Sequence, residues 1–508
     1  MNTYEIILLG FYGVVLFLLV LFGLHKYYLL YLYFKYKNKP RFKPGRMKKW
    51  PRVTIQLPIY NEKYVVDRLI KSVCQLDYPQ ELLEIQVLDD STDETQIEAR
   101  HWTEYFRNKG FDIKYIHRKD RTGFKAGALD YGLKRATGDF IAVFDADFVP
   151  KSDFLKKTLP YFKNKKIGLV QTRWGHINRD YSLLTRVQSI FLDGHFTIEH
   201  TARNRSGRFF NFNGTAGIWR KEAIVDAGGW QFDTLTEDLD LSYRAQLKGW
   251  QFVFIPEMTT PAELPVEMNA YKSQQHRWAK GSVQTAKKLL PKIIKSSLPL
   301  AVKFEATMHL VSNLTYLFMT IPSILMPIIL HMQLKKGWDW MIYLYFLVFF
   351  AASLSVIFYY LISHKETYGT WKDQLPYIPV LMSIGIGLSI NNAKAVLEAL
   401  FNRQSEFKRT PKYKIESVLD HWKHKTYRSE FNLQTFLELL LGSYFTISLF
   451  SLLNDGLFVS LPFFLLYQFG FLYIGVISIV QSNLLNFNFK TLRSAFQSKF
   501  VLFPKKLL

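Results

Sequence analysis

Phe140-Ile-Ala-Val-Phe-Asp-Ala-Asp147 is the stretch that decides the fold. Five apolar residues in a row read as a buried strand. The Asp-Ala-Asp that ends them puts Asp145 and Asp147 on one side, because alternate strand residues share a face. The same pattern occurs twice upstream. Val53-Thr-Ile-Gln-Leu57 stops at Pro58 and opens into Tyr60-Asn61-Glu62, and Glu84-Ile-Gln-Val-Leu88 runs into Asp89-Asp90-Ser91-Thr92-Asp93. Ile113 to His117 reads as a further strand, and helices are expected over Tyr64 to Leu76, Thr95 to Lys109 and Ala126 to Thr137. This alternation predicts a parallel sheet with helices on both faces. In such sheets ligands sit at the carboxyl ends of the strands, where Tyr60, Glu62, Asp89, Asp90, Asp145 and Asp147 gather.

The rest of the chain is organised around this domain. Of 508 residues, 49% are hydrophobic, but residues 50–290 have ordinary globular composition while 5–34 and 303–485 are apolar in long blocks. Ile6 to Leu24 is long enough to span about 30 Å of hydrocarbon as a helix. With no positive residue ahead of it and bulky residues after it, it reads as a retained membrane helix and not a cleaved leader. Further blocks lie near Met308–Met332, Trp340–Ile362, Leu375–Leu400, Phe436–Leu453 and Leu457–Val480. The block at 375–400 contains Pro376, Pro379, Asn391, Asn392, Lys394 and Glu398, and is expected to be interfacial or re-entrant. That leaves five spans. Lys287, Lys288, Lys292 and Lys295 among apolar residues suggest an amphipathic interface helix over 287–300, with Pro291 as a potential break.

The net charge is +23, from 65 Lys and Arg against 42 Asp and Glu. Nucleic-acid binding is one meaning of such an excess. Here the basic residues flank the apolar blocks, as expected for cytosolic loops facing anionic lipid headgroups, so no nucleic-acid partner is inferred. This places residues 50–286, the basic segment 403–430 (with Arg403, Lys408, Arg409, Lys412, Lys414, Lys423, Lys425 and Arg428) and the tail 486–508 on the cytosolic side. One cysteine, Cys74, excludes an intrachain disulfide and reads as a small buried side chain.

Five clusters carry chemistry. Asp145 and Asp147 are hard oxygen ligands suited to Mg²⁺ or Mn²⁺, with substrate phosphates completing the shell. Lys125, in Gly123-Phe-Lys-Ala-Gly127, opens a helix, and both features favour phosphate. Asp89-Asp90 provides rigid acceptors for a base and ribose, or a helix cap. Thr236-Glu237-Asp238 is a capping group, a base, or both. Gln274-Gln275-His276-Arg277-Trp278 places two amides, an imidazole, a guanidinium and an indole in little more than one turn. Alone, it could be a helix end beside a membrane.

Seven motifs occur in one order: Pro58-Ile-Tyr-Asn-Glu62, Gln86-Val-Leu-Asp-Asp-Ser-Thr-Asp93, Gly123-Phe-Lys-Ala-Gly-Ala-Leu129, Phe144-Asp-Ala-Asp-Phe148, Phe212-Asn-Gly-Thr-Ala-Gly-Ile-Trp-Arg220, Thr236-Glu-Asp-Leu-Asp-Leu241 and the pentad. In this they resemble the processive family 2 glycosyltransferases of the cellulose synthase superfamily, closest in wording to the cellulose synthase-like A and C subfamilies, which make mannan, glucomannan and β-glucan backbones. The resemblance is strong over Val53–Gly281 and looser in the apolar part. It implies a GT-A-type, Rossmann-like α/β catalytic domain, cytosolic and inserted in a multi-span α-helical membrane region. It implies a nucleotide-sugar donor, UDP-glucose or GDP-mannose, held by Tyr60, Glu62, Asp89 or Asp90, Lys125, Asp145, Gln274 and Arg277. Asp147 with Asp145 would carry the metal, and Asp238 beside Glu237 would be the general base. Trp278, His276, Gly214 and Thr215 would meet a growing glycan. Phe407-Lys-Arg-Thr-Pro-Lys412 resembles the gating segment Phe-x-Val-Thr-x-Lys, with Phe407, Thr410 and Lys412 matching and Arg409 in place of the usual Val. Membrane lipids are the remaining partner, with a bacterial cytoplasmic membrane expected ahead of a Golgi membrane. The product could instead be one hexose on a lipid, or the chain could bind nucleotide sugars without turnover.

Overall fold

The computed structural model describes residues 3–405, 407–422, 424–427 and 433–482. Lys423, Arg428 and the basic tail 486–508 lie outside the described residues.

Seven strands form one sheet in the order β3-β2-β1-β4-β6-β5-β7. They are β1 (Val53–Ile59), β2 (Leu83–Asp89), β3 (Asp112–His117), β4 (Phe140–Val143), β5 (Ile167–His176), β6 (Gly217–Arg220) and β7 (Gln251–Ala262). The first four are parallel, as expected. The all-parallel expectation fails at β6, which runs antiparallel between β4 and β5. β6 is only four residues long and follows directly on the loop from Phe212, so it enters the sheet from the ligand-binding edge. It therefore delivers Asn213, Gly214 and Thr215 to the edge where β1, β2 and β4 end.

Both faces of the sheet are covered. Val53, Ile55 and Leu57 point to one side, against Val66, Leu69 and Ile70 of the helix Val66–Cys74. Full burial of each is worth about 1.5–3 kcal/mol. Ile141, Val143, Leu169 and Trp219 point to the other, against Leu129 of the helix Phe124–Leu133 and Leu241 of the helix Glu237–Leu247. Cys74 is buried in the first cluster, without a disulfide.

The pentad lies inside one helix, Met268–Lys295, which continues through Pro291. Residues 287–295 are the last turns of that helix and not a separate interfacial element. Its apolar side is already covered: Leu289 and Ile293 are buried with Ala306 and Leu310. Two of its lysines have protein partners too, Lys287 capping the carbonyls of Ala399 and Leu400, and Lys288 reaching Asp233.

Among the described residues, five helices are long and apolar enough to cross a membrane: Thr3–Tyr36, Leu314–Lys336, Trp340–Tyr368, Gln434–Asn454 and Phe458–Gln481. Tyr377–Gly387 and Ser389–Leu400 form a pair bent by 41°. Both ends of this pair lie against the α/β domain, Tyr377 under Arg186 and Glu398 against Lys280. From there, residues 407–422 run back over the domain, where Lys414 pairs with Asp67 at 2.9 Å and Arg68 with Glu416 at 2.8 Å.

One close approach fixes the pentad helix to the sheet edge. A Cβ on Gly281 would lie 2.5 Å from the Thr236 side chain. Gly281→Ala should therefore cost about 1–3 kcal/mol by overpacking. The expected result is a lower unfolding midpoint, partly restored in the Gly281→Ala/Thr236→Ala double variant. A single variant as stable as the parent would contradict this packing.

Candidate active site

The strand ends, the loop before β6, the first turn of Glu237–Leu247 and the pentad surround one open cleft. Seven carboxyl residues line it: Glu62, Asp90, Asp145, Asp147, Glu237, Asp238 and Glu263. Five cations face them: Arg121, Lys125, Arg277, Arg409 and Lys412. Tyr60, Gly214, Gln274, Trp278, Phe407 and Thr410 complete the expected residues found there.

At the centre, the Lys125 ammonium lies 2.5 Å from Asp145 and 4.0 Å from Glu237, and donates to the Gly214 carbonyl at 3.0 Å. Burial disfavours its charge, but Asp145 and Glu237 outweigh that and raise its proton affinity. Gly214 has φ +79°, and a Cβ there would come within 3.0 Å of Asp238 Oδ2 and 3.2 Å of Lys125 Nζ. Glycine thus keeps open the space between acid and ammonium. Burial, with the Glu237 carboxylate beside it, pushes the Asp238 carboxyl up to about 7. Its Oδ1 accepts from the Leu239 N–H at 2.8 Å, which fixes the carboxyl at the start of the helix. Thr236 makes no side-chain capping bond; its hydroxyl lies 3.4 Å from Thr285 of the pentad helix. The capping reading of this motif therefore fails for the threonine.

On the far side, Arg121 stacks over the Tyr60 ring at 3.3 Å, and Arg118 holds Asp90 through two hydrogen bonds of 2.8 and 2.5 Å. Burial pushes Glu62 up to about 8 despite Arg409 at 3.8 Å. Lys412 reaches Asp147 at 2.8 Å. Phe407 stacks on Phe124, and the Arg277 guanidinium lies 4.5 Å over the Phe407 ring. The segment 407–412 is thus a wall of the cleft.

Three expected site residues do not reach it. Asp89 is fully buried beneath the strand end, where it accepts from the Ser91 N–H and the Tyr115 hydroxyl. Thr215 is also fully buried, and its hydroxyl accepts from the Asp145 N–H at 2.9 Å. It orients the acid instead of meeting a glycan. His276 points away from Trp278 by helical geometry and pairs with Glu398 at 3.2 Å, beside Lys280. Sequence reading missed Arg118, Arg121, Asn213, Trp174 and His176. The two arginines are spaced just ahead of Gly123, and Trp174 and His176 alternate at the end of β5, so a signal was present.

Asp145 and Asp147 also pass a chemical test for a divalent cation. Both carboxylates face one cleft, and each already attracts an ammonium. Magnesium-type ions need only one or two carboxylates when phosphates complete the shell. No group of three or more candidate ligands occurs among the described residues, so a cation here would depend on substrate oxygens.

A second cavity adjoins the cleft, and a third adjoins the second. Asn213, Asp238, Gln274 and Trp278 also line a second chamber with Tyr271, Tyr316, Tyr359 and Tyr360. That chamber shares Phe191, Glu199, Asn313 and Tyr316 with a third, which is walled by Leu16, Leu19, Met319 and Ile386 of the apolar helices.

Comparison with known proteins agrees with this architecture. Residues 51–281 match the family described as "Glycosyltransferase like family 2". "Glucomannan 4-beta-mannosyltransferase 1" of Cyamopsis tetragonoloba is 45% identical over 258 residues, covering 49% of this chain and 48% of that protein. "Glucomannan 4-beta-mannosyltransferase 9" of Arabidopsis thaliana is 45% identical over 249 residues, covering 47% and 46%. The chain spans about half the length of the curated relatives it matches. "Mannosyltransferase PcManGT from Pyrobaculum calidifontis in complex with GDP-Man and Mn2+" aligns with TM-score 0.50 and 18% identity, over 79% of this chain and 99% of that one. This likeness bears out the GT-A-type fold.

Glu62 and Asp238 hold protons more tightly in the folded chain than their ordinary values of 4.5 and 3.8. Their contribution to stability is therefore complete below those values and is lost as pH rises through about 7 and 8. The thermal midpoint of the wild type should fall between pH 5 and 8 more steeply than that of the Glu62→Gln/Asp238→Asn variant. Equal slopes would refute the assigned titrations.

Proposed function

We propose, from the match of residues 51–281 to the glycosyltransferase like family 2, that the whole chain is a membrane-integrated, inverting hexosyltransferase that extends a β-linked polysaccharide and feeds it into its own helix bundle. One observation carries this reading. Asp90, Asp147, Asp238 and Trp278 line a single cleft, and Trp278 also lines a chamber that adjoins a third one among the apolar helices. An enzyme that moved one sugar to a lipid would need no such interior chambers. The names of the relatives support a mannosyl donor, GDP-mannose ahead of UDP-glucose, and a β-1,4 linkage. Those relatives are plant proteins, and they lend no support to an assignment to a bacterial membrane.

In this mechanism Tyr60, Glu62, Asp90 and Arg121 hold the nucleoside, with Tyr60 and Arg121 offering flat faces to the base. Lys125 and Arg277 meet the diphosphate. Both are poised for anions: Lys125 is kept protonated by its acidic neighbours, and Arg277 sits among Glu237, Asp145 and Asp238. Trp278 gives its indole face to the terminal sugar of the acceptor, matching an apolar sugar face. Asp238 removes the proton of the acceptor hydroxyl as that oxygen attacks the anomeric carbon. The bond to the diphosphate oxygen breaks on the opposite face, so an α-linked donor gives a β-linked product. Charge that gathers on the leaving diphosphate is stabilised by Lys125 and Arg277, held in advance at the cleft wall.

Asp147 and Asp145 would hold Mg²⁺ or Mn²⁺, which when bound neutralises diphosphate charge. Phe407, Thr410 and Lys412 close the cleft over the donor, and Lys412 exchanges its contact with Asp147 for one with the incoming ligand.

Asp238→Asn should lower transfer by about 10²–10⁴-fold while nucleoside diphosphate affinity stays within about twofold, as read by radiolabelled-sugar incorporation and calorimetry. The kcat/KM of the wild type should rise with pH through an apparent pKa near 7. Equal turnover by the variant would remove Asp238 as the base. Incorporation from GDP-mannose in the presence of Mg²⁺ or Mn²⁺, with linkage analysis, tests the donor. Long product is expected, and a single lipid-linked hexose would overturn the polymerase reading.

A further inference from the structure

Residues Gly194–His200 form a π-helix of seven residues. Such turns are rare, are usually confined to a single bulge, and are often retained where their side chains serve a site. This one lies between the catalytic cleft and the apolar helices. Asn213 lines the cleft and donates from Nδ2 to His195 Nε2 at 3.0 Å. That fixes the tautomer, so His195 Nδ1–H donates to Glu199 Oε2 at 3.1 Å. Glu199 Oε1 accepts from Lys26 of the N-terminal helix at 2.7 Å and lies 3.1 Å from the Tyr359 hydroxyl, which donates to the Gly194 carbonyl at 2.6 Å. Arg203 binds the same carboxylate at 3.2 Å and Glu305 at 2.9 Å. Burial would raise Glu199, but Lys26 and Arg203 outweigh it and hold the carboxyl well below its usual range. The close fit requires Gly194, since a Cβ there would meet Tyr359 at 2.7 Å and Tyr360 at 2.8 Å.

Glu199 lines both the second chamber and the third. On the cleft side the path is polar and aromatic; beyond Glu199 the wall turns apolar. A hydroxyl-rich chain passing this point exchanges water for protein partners, or loses them at a cost. The network is also charge-balanced, with Glu199 and Glu305 against Lys26 and Arg203. It therefore offers hydrogen bonds without drawing in a charged polymer.

We propose that the π-helix, through Glu199 with Lys26 and Tyr359, forms a collar that binds an uncharged glycan behind its acceptor end and so sets the length of the product. This rests on the polymerase reading above, and it assigns a binding role to residues outside the transfer chemistry.

The test uses the full chain in lipid nanodiscs, with neutral β-1,4-linked manno-oligosaccharides as probe and tryptophan fluorescence as readout. Wild type should bind the hexasaccharide more tightly than the disaccharide. Glu199→Gln and Lys26→Met should each weaken hexasaccharide binding about tenfold, as expected for a lost charged hydrogen bond, and shorten the polymer made from the donor. Tyr359→Phe removes one hydroxyl and no charge, and should shift both readouts in the same direction. Nucleoside diphosphate binding by each variant confirms folding. Variants that bind nucleotide normally and keep the wild-type length dependence would overturn the collar. If wild type made polymer yet bound both oligosaccharides equally, the collar alone would fail. If it made no polymer but bound the hexasaccharide through Glu199, the collar would stand and the polymerase reading would fall.

Discussion

Buried carboxylates crowded against a smaller set of cations are the constraint on which the rest depends. Seven acids and five bases share one cleft, and none of the acids comes from near Asp238 in sequence except Glu237. An arrangement of this kind is costly to bury unless each charge has a partner. The pairs are visible: Lys125 with Asp145, Lys412 with Asp147, Arg118 with Asp90. Where pairing is incomplete, at Glu62 and Asp238, the proton is held more tightly instead. A base of that kind is well matched to neutral pH.

The pentad helix makes this chemistry continuous with the helix bundle. Along its 28 residues, Arg277 and Trp278 face the cleft, while Lys272 pairs with Glu438 and Lys280 with Glu398. Both partners belong to the apolar region. Gly281 lets this helix touch Thr236, next to the base. Catalytic edge and bundle are therefore coupled by direct packing along one rigid element, with the π-helix forming a second bridge through Lys26.

Much of this was legible in the sequence because strand alternation and loop carboxylates are local signals. Phe140–Asp147 announced a strand and its acids, and the ordered motifs placed Asp238, Lys125, Arg277 and Trp278 in one site. What the sequence hid was orientation. Asp89 and Asp90 are neighbours, yet strand geometry sends one beneath the sheet edge and the other into the cleft. His276 and Arg277 diverge for the same reason on a helix. Thr215 looked like a ligand-facing hydroxyl but orients Asp145 from behind. β6 was invisible because its four residues, Gly217–Arg220, carry no period long enough to read. The break expected at Pro291 did not occur, since helix packing at Leu289 and Ile293 outweighs one missing backbone bond. Glu199 and Lys26 lie 173 residues apart, and no local pattern joins them.

The most direct test of the account is electron cryomicroscopy of the full chain in a lipid bilayer during turnover of its donor. Nucleoside diphosphate density should lie between Tyr60 and Lys125, with glycan density running from Trp278 past Glu199 toward the apolar helices. Nucleotide bound elsewhere, or a glycan leaving the cleft directly into solvent, would contradict it.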